Sequence, residues 1–188
     1  MKTNRLNIVL SLFMAALFLG TFSMSNAQAV KLDRKEKKEV RKAQLTANFY
    51  ALDTLLKARS FVLEADFLQN NYGDRVPVSS NLNFIMVNKS NGVLQTGSNM
   101  SMGYNGVGGV TAEGNIGSWE LNRDAKRLYH TLRFSLLSNI GHYDVFLTVN
   151  ADNNASAIIT GLGRGSLTWN GRIKTLNGSR VFKGQTTY

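Results

Sequence analysis

From Ser60 onward the chain breaks into short runs rich in Val, Ile, Phe and Thr, each closed by Asn, Asp or Gly. No feature constrains the fold more. Each run is long enough for one strand, and the turn residues between them fall roughly 8–15 residues apart, which leaves no room for crossover helices. Phe61, Leu63, Ala65 and Phe67 alternate with Val62, Glu64, Asp66 and Leu68, giving one strand with a core face. The segment Leu82 to Val87 turns through Asn88-Lys89-Ser90-Asn91-Gly92 into Val93 to Gln95, an expected hairpin for which Asn91-Gly92 is a strong local signal because both residues tolerate positive φ. Further strands are expected over 109–113, 117–121, 129–137, 143–150, 155–160 and 166–173, with Asp152-Asn153-Asn154 as a second hairpin turn. The fold class is therefore mainly β: an antiparallel β-barrel or β-sandwich of about eight strands, spanning residues 60–176. Residues 177–188 are polar and are expected to form a flexible tail.

The N-terminal third reads differently. Lys31 to Ala58 has no Gly or Pro and is rich in Lys, Glu, Ala and Leu, so residues 30–59 are assigned one basic helix. Asp33 and Glu36 have capping-box spacing, and Leu45, Phe49, Leu52 and Leu56 fall on one stripe. Residues 1–29 are read as a signal peptide: Lys2 and Arg5 lead, an apolar run follows from Ile8 to Leu19, and Ala27-Gln28-Ala29 marks cleavage after Ala29. The run falls short of the roughly 20 residues that a spanning helix needs, so the protein is not expected to be integral to a membrane. A periplasmic or secreted location follows, and the absence of cysteine excludes disulfides, thiolate sites and a lipid-modified cysteine. The formal charge is +10. The positive excess sits at the two ends: Lys31 to Lys42 is dominated by bases, and no acid follows Asp152. For an exported chain, anionic envelope material is a more available partner than nucleic acid.

The stretches Phe61-Val62-Leu63-Glu64-Ala65-Asp66, Asn83-Phe84-Ile85-Met86-Val87, Asn105-Gly106-Val107-Gly108-Gly109-Val110 with Gly114, and Tyr143 to Val149 carry a resemblance. Over about residues 43–174 the chain resembles domain of unknown function 4251, a family of exported Bacteroidetes proteins. The resemblance implies a mostly β envelope protein and transfers no catalytic residue. Many members look like lipoproteins; without a cysteine after its signal, this chain is expected to be freely soluble.

Gly103 to Gly109 is the densest glycine stretch. No Gly-Lys-Ser/Thr follows, so a phosphate cradle is disfavoured. Turns and bulges where strands cross closely are the plain structural reading. The functional one is a ligand-facing loop with Tyr104, Asn105, Gly106, Gly108 and Gly109 as binding residues, Tyr104 stacking on the ligand. Glu64 and Asp66, two apart on a strand, are a candidate carboxylate pair for hydrolysis. They are expected to face solvent, since Leu63 and Ala65 make the better core face. His130 and His142 lack local ligand spacing. Asp152 to Ser156 starts like a calcium loop but lacks its closing Glu. Trp119 and Trp169 are expected in the core.

The leading expectation is a non-enzymatic binding module for a small apolar or amphipathic ligand or a glycan fragment, requiring no cofactor and no metal. Two alternatives are an envelope interaction protein that docks through its basic helix and a hydrolase built on Glu64 and Asp66. A hollow, apolar interior favours a lipid-like ligand; a filled one favours a surface partner.

Overall fold

The structure is a computed structural model that describes residues 33–98, 104–161 and 165–188. Residues 1–29, read as a signal peptide, lie outside these, as does Gly103. The chain divides into two compact units, Met1–Lys37 and Lys38–Tyr188. What is described of the first is a capped helix start: Glu36 Oε2 accepts from the Asp33 amide at 3.0 Å and Asp33 Oδ1 from the Arg34 amide at 2.7 Å. The helix α1 is Arg34–Lys57. It ends at Arg59, whose φ of 51° breaks the helical run.

Nine strands follow: β1 Ser60–Gln69, β2 Arg75–Pro77, β3 Phe84–Asn88, β4 Asn91–Gln95, β5 Thr111–Asp124, β6 Tyr129–Ser138, β7 Gly141–Asn150, β8 Asn154–Thr160 and β9 Ser166–Lys174. Every pairing is antiparallel. The order runs β1-β3-β4-β5-β6-β7-β8-β9, and β9 returns to β1, so these strands close a barrel while β2 pairs only with the end of β1. Closure removes the free edges that an open sheet must protect. The choice between barrel and sandwich is thus settled as barrel.

The interior is filled. Phe61, Leu63, Leu94, Leu132, Leu147, Ile159 and Trp169 are all fully buried in one cluster, as an eight-strand barrel allows. Leu52 and Leu56 of α1 join that cluster, and Phe49 stacks on the ring of buried His130 at 4.4 Å. Burying side chains of this size contributes about 1.5–3 kcal/mol each. The expected helical stripe is therefore the face that packs on the barrel.

Three expectations change in detail. The strands expected over 109–113 and 117–121 merge into one, β5, which begins at Thr111 and whose register shifts between Ile116 and Trp119. That bulge keeps both Ile116 and Trp119 packed against the core. The first hairpin turns within the expected residues 88–92, at Lys89-Ser90 with Asn88 paired to Asn91, but the positive φ falls on Lys89, at 56°, and not on Asn91 or Gly92. Gly92 is needed for space instead: a Cβ there would sit 2.5 Å from Ile116 Cδ1. Finally, β1 bulges between Ala65 and Phe67, so Leu68 and not Phe67 continues the core face.

Candidate functional site

Asn105 organises the glycine segment. It is buried, donates from Nδ2 to Thr96 O and Thr111 Oγ1 at 3.0 Å, and accepts at Oδ1 from the amides of Val107 and Gly109 at 3.1 and 3.0 Å. All four of its hydrogen-bonding positions are spent inside the protein. Gly106 and Gly108 hold φ of 75° and 78°, and a Cβ on Gly109 would collide with Thr96 O. The structural reading therefore accounts for Asn105, Gly106, Gly108 and Gly109. Tyr104 stands apart: it is 85% exposed and its ring stacks on no aromatic or cation among the described residues.

The polar C-terminal tail, expected to be loose, is hydrogen-bonded to the barrel along its length. Phe182 N donates to Asn81 O, Gly184 N to Gln95 Oε1, Gln185 N to Asn105 O and Thr187 N to Thr111 O, at 2.8–3.0 Å. Buried Gln95 receives Thr111 Oγ1 at 2.9 Å and donates to Leu82 O and Phe182 O, so one buried network joins the glycine segment to this strap. Leu176 and Val181 pack on Val62, Phe84 and Val93 of the outer wall. Sequence reasoning missed Gln95 and Thr111, which carry no local pattern beyond being polar in a strand.

Strap and glycine segment border an open groove of about 590 Å3, lined by Tyr104, Asn105, Gly106, Val107 and residues 182–185. Phe182, 60% exposed, faces it with Tyr104. The groove also offers Gln185, exposed on the strap; Lys183 is engaged by Glu113 at 2.7 Å.

The carboxylate pair does not form. Glu64 is buried beneath the strap and not solvent-facing: Oε2 meets Lys174 Nζ at 2.7 Å, and Oε1 accepts from Ser179 Oγ at 2.7 Å and Arg180 N at 3.4 Å. Burial pushes its pKa up, but these partners outweigh burial and hold it below the ordinary value. Asp66 sits at the bulge, exposed. Glu64 is an anchor with no oxygen free for acid–base work. The histidines also stay apart: His130 points into the barrel opposite Val149, while exposed His142 pairs with Asp144 at 3.2 Å near the other end of the same hairpin. Asp152 closes a turn by accepting from Asn154 N at 3.1 Å. Trp169 is fully buried, and Trp119 packs on Phe134 at 5.5 Å with the Arg59 guanidinium over its ring. Among the described residues no group of three or more His, Cys, Asp or Glu can hold a metal ion, and no helix is long and apolar enough to cross a membrane.

Residues 43–173 match the family described as "Domain of unknown function (DUF4251)". The chain belongs to this family. A solved structure of a DUF4251 family protein from Bacteroides eggerthii is similar at 34% identity and a TM-score of 0.61, covering 73% of this chain and 93% of that one. A search of curated proteins finds no match. The DUF4251 match ends at Ile173, so the strap, and with it half of the groove, lies beyond the matched residues.

Proposed function

We propose that this protein is an exported binding module that holds a glycan fragment on its surface, at the groove between the glycine segment and the C-terminal strap. The observation that carries the reading is the pair of exposed aromatics, Tyr104 and Phe182, beside an open groove of about 590 Å3. Large exposed rings are costly to leave idle and offer flat apolar faces on which a sugar ring can stack. The filled barrel argues against an apolar ligand inside it. The pattern of residues 1–29 supports export.

A glycan array probed with the labelled full-length mature chain tests this, followed by titration of the best hit against Tyr104→Ala and Phe182→Ala. Each variant should weaken binding by about tenfold, the scale of one lost stacking contact. No hit on the array, or hits that both variants bind equally well, would overturn it. A second reading, attachment to anionic envelope material, is favoured by the exposed bases along Arg34–Lys42.

A further inference from the structure

A second groove, of about 410 Å3, lies on the outer wall where β7, β8 and β9 meet β1 and β2. The β1 bulge creates it. By leaving Asp66 without a partner on β9, the bulge turns Phe67 outward to pair with Asn170. A large ring that a regular strand would bury is thereby re-aimed onto the surface. The Arg75 guanidinium lies over that ring at 3.8 Å. Its charge has no carboxylate partner among the described residues.

Arg172 lines the same groove from β9. Its cross-strand neighbour is Glu64, but Lys174, Ser179 and the Arg180 amide occupy that carboxylate. Arg172 thus also has no carboxylate partner among the described residues. From Phe67 a row set by register runs across the groove, Asn170 beside Ser156 and Ser156 beside Thr148, with Arg172 two residues along β9 from Asn170. Asn170, Ser156 and Thr148 are half-buried, and none of their side chains forms a hydrogen bond among the described residues. Half-buried amides and hydroxyls are ordinarily satisfied by protein or water.

We infer that this wall groove binds a carboxylate-bearing saccharide. Two unpaired guanidinium forks suit a carboxylate. The amide and hydroxyl row suits vicinal hydroxyls. Asp66, also lining the groove, supplies an acceptor for a sugar hydroxyl, a contact that favours an acidic polyol over a simple anion. The stacked Phe67–Arg75 pair adds a flat edge on which a sugar can rest. This site is separate in residues from the groove at Tyr104 and does not depend on it.

Calorimetric titration of the full mature chain with a tetramer of galacturonic acid tests the inference. The fully methyl-esterified tetramer and inorganic phosphate serve as the other two arms. Saturable binding is expected for the acid, with the neutral ester at least about tenfold weaker because it removes the charge-assisted bonds. Arg75→Met and Arg172→Met keep the apolar stems and should each weaken binding by about tenfold. Tyr104→Ala should leave it unchanged, which separates this result from the fate of the other groove. Circular dichroism and thermal midpoints confirm that the variants fold, and the ester arm needs no variant. Three outcomes would overturn the proposal: no saturable binding of the acid, equal binding of acid and ester, or displacement of the acid by phosphate at equal concentration.

Discussion

Asn105 shows how much a single residue can fix. Its buried side chain makes four hydrogen bonds, so Asn105→Ala strands Val107 N, Gly109 N and Thr96 O together. Leaving buried groups unsatisfied costs about 1–3 kcal/mol each, tempered by water entering the gap. Asn105→Ala should lose about 2–4 kcal/mol of unfolding free energy, read as a lower urea midpoint, and no change would mean the segment finds another arrangement. His130 makes a different residue-scale statement. Burial holds its imidazole below the usual pKa; Asp53 opposes this, while Arg123 and Lys57 add to it. Neither ring nitrogen has a hydrogen-bond partner, and Asp53 Oδ1 stands 3.6 Å away. The unfolded chain therefore takes up the proton first. This contribution is intact above about pH 6.5, the unfolded value, and declines as pH falls below it. Asp53, held low chiefly by its Lys57 hydrogen bond, acts in the same direction at lower pH, as its own folded pKa is approached. His130→Phe keeps the stack on Phe49 and should flatten the fall in urea midpoint between about pH 7 and pH 5. Parallel curves for the variant and wild type would show that His130 carries none of the slope.

At the scale of elements, the strap shows where sequence patterns stop. It has no periodicity because it forms neither helix nor ladder; its partners are backbone carbonyls and side chains far along the chain, such as Asn81 O, Thr111 O and Gln95 Oε1. Glu64 is the anchor at its start. Glu64→Gln removes the charged acceptor of Lys174 and Ser179 and should cost about 1–3 kcal/mol. Amide exchange over residues 177–182 should quicken in the variant, while core strands such as β6 keep their protection. Because the folded pKa of Glu64 is lowered, the wild-type anchor is present above the unfolded carboxylate value and is lost as pH falls through the folded one. Sequence alone revealed what local chemistry decides: the helix with its Phe49–Leu56 stripe, the turn at Asp152, and most strand positions. It missed what depends on a partner strand. The bulges in β1 and β5 are invisible to alternation, because each inserts a residue whose neighbour lies far along the chain. Asn91-Gly92 marked the hairpin but not the residue with positive φ, for the same reason: Gly92 makes room for Ile116 and Leu136. Of the candidate site, Tyr104 and the glycines were legible, but the groove's other half, Phe182 and Gln185, required the strap to be seen in place.

At the scale of the whole molecule, the described core cluster packs the barrel's interior, which directs attention to the outside surface and to charge. Lys31 to Lys42 carries seven bases against three acids, and the residues described there are exposed and form no ion pair among the described residues. Val40 is the only large apolar side chain along Arg34–Lys42. A helix this polar has no apolar face to sink into a bilayer, so attachment to anionic material must be Coulombic. Exposed charges are screened over about 8–10 Å at physiological salt. Each base near an anionic surface contributes about 1 kcal/mol, so several acting together suffice for binding at low salt and fail at high salt. Sedimentation of the mature chain with vesicles containing anionic lipid should therefore pellet the protein at low ionic strength and release it as salt rises. Changing Lys35, Lys38, Arg41 and Lys42 to Glu together reverses the sign of the segment and should abolish pelleting. The barrel itself should be untouched, since all four side chains are exposed. Equal pelleting of wild type and variant at low salt would leave the helix as a solvated face, with Leu52 and Leu56 on its other half supplying its whole contribution to the molecule.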